Sequence, residues 1–274
     1  MFSPRLGCSS ISFRHQPLPR ALETIRGAGF EEIDLGALPG VCDHVPFILD
    51  EAAVGQVRET LVGSGLRVRS VNGDIGDLNA ARTGPQRETR SVHLRRLLQL
   101  TAEIGARALV LPCGALDHEP SRSLEEDLDL VAAELIYAGD EAARHGLEVW
   151  TESLHFFRLC WNPDRARALT ERLAGSSVGV VMDFSHIVAS GADPVEFVKA
   201  FHDRIAHVHL RDAVPGDIHR SIGTGEADFV GGLAALAGSG YRGHFSLELE
   251  TRDVTDAQRP AAAVAAGQFI SSLL

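Results

Sequence analysis

Cysteine is scarce and unpatterned in this chain: Cys8, Cys42, Cys113 and Cys160 stand far apart, with no C-x-x-C spacing. That disfavours a zinc knuckle or a disulfide framework, so reduced thiols in a cytoplasmic setting are expected. Basic residues are outnumbered, 26 Lys and Arg against 37 Asp and Glu, for a formal charge of −11. A protein whose main partner is nucleic acid needs a basic footprint, so that class is disfavoured, although a local arginine cluster could still hold a small anion. No apolar run is long enough to span a bilayer, and the opening MFSPRLGCSS has no basic stretch followed by an apolar one. Neither a membrane segment nor a signal peptide is therefore expected. From Gly7 to Arg20 there is no G-x-G-x-x-G, which removes the main sign of an open, doubly wound dinucleotide-binding sheet.

What is present is alternation. With 274 residues and 45% hydrophobic composition the chain can bury a large core, and its length suits a single (β/α)8 barrel. Strand-like runs begin with LGCSSISF from Leu6, EEIDLG from Glu31, LRVRSVN from Leu66 and RALVLPCG from Arg107. They continue with Leu147–Glu152, Val178–Asp183, Ile205–Leu210 and His244–Glu250. Between them lie helix-like stretches: Leu18–Gly29, Glu51–Ser64, Pro85–Gly105, Ser121–His145, Pro163–Ala174, Pro194–His202 and Phe229–Ser239, with a last one ending at Leu274. Pro163 and Pro194 suit a first helical turn, where a missing N–H costs nothing. About eight βα units result, with no linker or charge block between them, so one α/β barrel domain over residues 1–274 is expected.

Four of the later strands end in an acid or a histidine: Glu152, Asp183 (with His186 just beyond), His209 and Glu248. In a barrel strand alternate residues point inward, and the last inward residue reaches the C-terminal rim, where such barrels place their chemistry. An inward Asp183 puts Val181 and Gly179 inside and turns Met182 and Val180 toward the helices. In HFSLELE the apolar Phe245, Leu247 and Leu249 suit the helix layer, leaving both Glu248 and Glu250 facing in. His207 and His209 share a face, and parity does not separate them; His209 is nearer the rim. Alone, a strand-end glutamate suits a surface ion pair and Asp183 an N-cap. Their joint occurrence on successive strands points to a hard or borderline divalent ion, Mn, Mg, Co or Zn.

The segments E-S-L-H, M-D-F-S-H, H-V-H-L-R-D, I-G-T-G-E-A-D-F and G-Y-R-G-H-F-S-L-E-L-E resemble the xylose isomerase-like TIM-barrel superfamily. That group holds sugar phosphate isomerases and epimerases, inosose isomerases and dehydratases, and ketose 3-epimerases. The opening L-G-C-S-S-I-S-F and the later G-F-E-E-I-D-L are similar too, so the likeness covers nearly the whole chain. It implies Glu152, Asp183, His209 and Glu248 as metal ligands. Glu248 is preferred over Glu250 because the family's ligand stands five residues after the Gly of the G-Y-x-G turn, here Gly243. It further implies that Glu152 and Glu248 move protons on opposite faces of a bound sugar through a metal-stabilised enediolate. His186 and an arginine near the seventh strand, Arg211 or Arg220, would hold substrate oxygens. Asp34 stands where the family usually has a glutamate on the second strand.

The loop after the seventh strand carries Asp217 and His219, a D-x-H pair similar to the apurinic endonuclease branch, where it joins the histidine matching His186 around a further ion. That branch also uses histidines where this chain has Asn72 and Cys113, so a three-metal site is not expected; a second ion on His186, Asp217 and His219 is the remaining alternative. Otherwise His219 and Arg220 contact substrate or cap the loop. Gly223 and Gly225 mark a turn or a phosphate cradle of backbone N–H groups. His155 and Trp161 are placed on the pocket wall, and Asn72, Asp74, Arg14 and His44 near the other half of the rim. The expected protein is a metal-dependent isomerase or epimerase of a sugar-like carbonyl compound. A dehydratase of the inosose or dehydroshikimate kind comes second, ahead of a phosphodiester hydrolase or a non-catalytic binding barrel. Its partner is a small molecule rather than nucleic acid or membrane, and a homo-oligomer is compatible with the sequence.

Overall fold

The computed structural model describes residues 2–80 and 82–274. The barrel wall is built from β1 (Leu6–Cys8), β2 (Glu32–Ala37), β3 (Arg67–Gly73), β4 (Ala108–Pro112), β5 (Glu148–Glu152), β6 (Gly179–Asp183), β7 (Ile205–Leu210) and β10 (Phe245–Leu247). These eight strands run in the order β1-β10-β7-β6-β5-β4-β3-β2, and every ladder is parallel. The ends of that order, β1 and β2, meet at a seam without a ladder. There Gly7 lies so close to β2 that a Cβ on it would come within 2.8 Å of the Glu32 carbonyl oxygen. The Ser10 hydroxyl accepts from Gly36 N–H at 2.9 Å and tacks the seam near the rim.

Outside the wall lie α1 (Leu18–Gly27), α2 (Glu51–Ser64), α3 (Gly84–Glu103), α4 (Leu124–Ala143) and α5 (Pro163–Arg172). The short α6 (Phe184–Ala189) is followed by α7 (Pro194–Phe201), α8 (Phe229–Gly238) and α9 (Arg259–Ser271). None of these helices is long and apolar enough to cross a membrane. The expected alternation holds because each strand turns one face to this layer: Val180, Met182, Phe245, Leu247 and Leu249 all belong to the large core between strands and helices. The barrel interior is a separate, small cluster of Ala108, Val110, Trp150 and Val181. Trp150 fills it so fully that a Cβ on Gly179 would lie 2.8 Å from its ring and 2.6 Å from Ala206 Cβ. Trp150 thus fills the lower interior, and a cavity opens at the C-terminal rim above it.

The larger boundary differences from the sequence expectation are three. LGCSSISF is not one strand: after Cys8 the chain turns at Ser9, whose hydroxyl accepts from Ile11 N–H, into a 3-10 turn over Ser10–Phe13. The last strand stops at Leu247, so Glu248 and Glu250 lie beyond it. The long fourth helix begins at Leu124 under a capping box of Ser123 and Glu126, not at Ser121. Two elements went unrecognised, α6 and an antiparallel hairpin of β8 (Asp212–Val214) and β9 (Asp217–Arg220). Both are too short for periodicity to reveal.

Candidate active site

Parallel register brings the strand ends together. Asp183 pairs with His209 across β6 and β7, and His209 with Ser246 on β10, which sets Glu248 one step higher on the same face. Glu152 closes the group from β5, in register with Val181. One donor atom from each of Glu152, Asp183, His209 and Glu248 lies within 4.8 Å of the others, and all four residues are buried. His209 Nδ1 is 3.6 Å from Glu152 Oε1 and 3.5 Å from Glu248 Oε2.

Three of these atoms, Glu152 Oε1, Asp183 Oδ2 and His209 Nδ1, are buried without a hydrogen-bond partner. Buried polar groups are rarely left so. Two carboxylate oxygens and an imidazole nitrogen converging without donors fit a divalent cation. The rest of each side chain is tied down. Asp183 Oδ1 caps α6, accepting from Ser185 N–H (2.6 Å), the Ser185 hydroxyl (2.6 Å) and His186 N–H (3.2 Å). It is thus both the cap and a candidate ligand. Asn72 donates to Glu248 Oε1 at 3.3 Å. Behind His209, Asp34 Oδ2 accepts from His207 Nε2 at 2.8 Å and lies 3.4 Å from His209 Nε2, while Asp34 Oδ1 accepts from the Ser70 hydroxyl at 2.8 Å. A carboxylate behind an imidazole fixes the ring so that its other nitrogen faces the ion.

Electrostatics follow from burial. Burial pushes the Glu248 carboxyl up to about 8, against the pull of His209, and also raises Glu152. For His209 burial disfavours charge, yet Glu248, Asp34 and Glu152 outweigh it and hold the ring well above the usual imidazole range. The metal-free cluster therefore retains protons that a cation would displace.

Above the cluster opens a cavity of about 270 Å³, with Glu152 and Glu248 in its floor and His155, His186, Phe157 and His219 on its wall. His155 stacks on His186 at 3.9 Å. His186 Nδ1 accepts from Phe156 N–H at 3.0 Å, and burial keeps the ring neutral, so its proton sits on Nε2, 3.7 Å from Glu152 Oε1. His219 is the opposite tautomer: Nδ1 donates to the Glu250 carbonyl at 3.0 Å and Nε2 is left as an acceptor.

Other expected site residues fall elsewhere. Trp161 is not on the cavity wall; it stacks on His118 at 4.9 Å. Arg220 is half exposed, pairs with Asp217 at 3.1 Å and does not line the cavity. Arg211 is buried behind Asp183, donating to the Ser185 hydroxyl at 3.1 Å and to Glu250 Oε2 at 3.0 Å. The second-ion set of His186, Asp217 and His219 does not form among the described residues. Asp217 instead accepts from His219 N–H at 2.9 Å and pairs with Arg220, and His219 Nδ1 is engaged by Glu250. Nor are Gly223 and Gly225 a phosphate cradle: their N–H groups donate to the buried Asp212 carboxylate at 2.8 and 2.9 Å. Asn72, Asp74 and Arg14 do line the cavity, whereas His44 is tied to Ser10 and the Gln16 carbonyl.

Residues 22–273 match the sequence profile of the family described as xylose isomerase-like TIM barrel. The chain belongs to that family. The chain is similar to 3-dehydroshikimate dehydratase of Pseudomonas putida at 24% identity over 247 residues, 85% of this chain but 36% of that protein. Among solved structures, 3-keto-D-glucoside 4-epimerase of E. coli superposes with a TM-score of 0.76 at 20% identity, covering 96% of this chain and 99% of the other. The IOLI protein, crystallised with a zinc atom, gives 0.79 at 19% identity over 98% and 99%. These likenesses establish the shared barrel.

Proposed function

We propose that this xylose isomerase-like barrel is a divalent-metal-dependent enzyme that isomerises or epimerises a polyhydroxylated carbonyl compound by moving a proton at the carbon beside the carbonyl. The observation that carries the reading is the convergence of buried, unpartnered ligand atoms from β5, β6 and β7, with Glu248 beside them, at and just beneath the floor of one open cavity that Glu152 and Glu248 line. A divalent ion held there supplies a Lewis acid for a carbonyl and its neighbouring hydroxyl, which makes the adjacent C–H more acidic.

The side chains divide the remaining work. Glu152 ends β5 and Glu248 directly follows β10, the strands that flank the β6–β7 pair, so substrate over the floor lies between two carboxylates, one to take the proton and one to return it. Asn72 holds Glu248 Oε1 and leaves Oε2 facing His209 Nδ1. His186, a neutral ring with its proton on Nε2, donates to a substrate oxygen, and His219 Nε2 accepts from a hydroxyl. An imine route has no residue to use: the chain's single lysine, Lys199, lies exposed on α7 and pairs with Glu196. Carbonyl chemistry in this cavity therefore runs through carboxylates rather than a Schiff base.

A dehydratase reading is the second one, favoured by the likeness to 3-dehydroshikimate dehydratase over 85% of the chain. The same proton would leave, followed by a β-hydroxyl. One experiment tests both. Metal-reconstituted protein is incubated in D2O with ketoses, inososes and 3-dehydroshikimate and followed by NMR and mass spectrometry. Deuterium beside the carbonyl without mass loss supports isomerisation or epimerisation, and loss of water supports the lyase. Absence of both, with Glu152→Gln indistinguishable from wild type, refutes proton transfer.

A further inference from the structure

We propose that the cavity selects uncharged polyhydroxy carbonyl compounds and discriminates against carboxylated and phosphorylated ones; this rests on the proton-transfer reading for the identity of the reacting group. The basis is that the arginines around the floor already face carboxylates of the chain, although one buried nitrogen of Arg211, Nη2, is without a hydrogen bond 3.9 Å from Asp183 Oδ2. Arg158, buried on the wall, donates to Asp74 Oδ2 and to the Gly114 carbonyl, both at 2.9 Å. Arg14 and Arg211 share one carboxylate, Glu250, whose Oε1 is 3.0 Å from Arg14 and Oε2 3.0 Å from Arg211.

The loop of β8–β9 and Gly223–Gly225, where a barrel of this kind could cradle a phosphate, is filled from within. Asp212, itself buried, accepts from Ala213, Gly223, Gly225 and Ala227 N–H groups at 2.8–3.0 Å. A carboxylate of the protein stands in for the anion. On the outer side Asp253 accepts from the Ser221 N–H and hydroxyl and from the Thr224 hydroxyl, so the loop is held from both faces.

Charge balance leads the same way. The carboxylates of Glu152, Asp183 and Glu248 exceed a divalent ion by one negative charge, which Arg14 and Arg211 around Glu250 return. A substrate anion would enter a site with no buried positive charge to spare, and burying an unpaired charge is expensive. The mouth adds to this: Val41, Leu116 and Phe157, from three different loops, present exposed apolar side chains there. Arg252 is the exception, a lining arginine in no ion pair among the described residues, but it stands exposed at the mouth, where water screens it.

The test is competitive binding by titration calorimetry to metal-loaded protein, with 2-keto-myo-inositol and fructose as uncharged probes and 3-dehydroshikimate and fructose 6-phosphate as anionic ones. The uncharged member of at least one pair is expected to bind about tenfold or more tighter. In Glu250→Gln, which releases Arg14 and Arg211, that preference is expected to narrow by about tenfold; circular dichroism checks its fold, and the wild-type comparison stands alone if it misfolds. Equal or tighter binding of the anions overturns the proposal, as does a folded Glu250→Gln with unchanged preference. An anion preference abolished by Arg252→Ala overturns it too and assigns the anion to that residue. Uncharged probes that bind preferentially yet exchange no hydrogen with solvent refute the proton-transfer reading and leave the charge selection standing.

Discussion

Asp34 does not line the cavity, yet metal binding at the proposed centre is expected to depend on it. Its Oδ2 holds His207 at 2.8 Å and faces His209 Nε2 at 3.4 Å. Asp34→Ala leaves His207 Nε2 and the Ser70 hydroxyl without their partner and frees the His209 ring to turn or to carry its proton on Nδ1, the atom meant for the ion. Loss of such an outer partner lowers metal affinity by about 10–100-fold, or about 1.4–2.7 kcal/mol. The unsatisfied buried groups cost the metal-free protein about 1–3 kcal/mol. For 274 residues the unfolding entropy is about 0.6 kcal/mol per kelvin, so Tm falls by about 2–5 °C. Asp34→Asn is the milder comparator: its amide can donate to Ser70 and accept from His207, preserving geometry while removing charge. Titration calorimetry with Mn and Zn, beside thermal melts of metal-free protein, separates the two losses. A folded Asp34→Ala that binds metal within about twofold of wild type would falsify the role given to Asp34.

Three further outcomes follow from the same geometry. Glu152→Gln and Glu248→Gln should each slow solvent exchange of the substrate C–H by about 10²–10⁴-fold with circular dichroism unchanged; wild-type exchange in either variant excludes that carboxylate as the proton carrier. Glu248, raised to about 8 by burial, and His209, raised by its carboxylate neighbours, are protonated without metal and deprotonated with it. Metal affinity should therefore climb with pH through the range around pH 8 where Glu248 titrates, with proton release measurable at pH 7 by calorimetry in buffers of different ionisation enthalpy; binding without proton release contradicts those shifts. Trp161→Ala should lower Tm but leave KM unchanged, because its partner is His118 outside the cavity wall; a several-fold rise in KM at unchanged kcat would place Trp161 against substrate after all.

Much of this was legible in the linear chain. Period-two runs alternating with helical stretches identify the barrel, because each strand needs one face for the helix layer and one for the interior. The same parity puts Val181 inside and Val180 and Met182 outside, as found. It also brings Asp183 and Glu248 to the rim, since the apolar residues of opposite parity, Val180 and Met182 beside the one and Leu247 and Leu249 beside the other, take the helix layer.

What parity leaves open depends on partners distant in sequence. His207 and His209 share a face, and only the structure shows that Asp34, 173 residues from His207, engages His207 Nε2 and leaves His209 Nδ1 free. Glu248 and Glu250 look alike in the sequence, but Glu250 is held by Arg14 and Arg211 and Glu248 is not. Gly223 and Gly225 read equally well as a turn or a phosphate cradle until Asp212 is seen to occupy their N–H groups. Local sequence determines which residues can reach the rim, because backbone geometry repeats every two residues. Which of them remain unpartnered there, and so available to a metal or a substrate, is decided by hydrogen bonds that exist only once the barrel has closed.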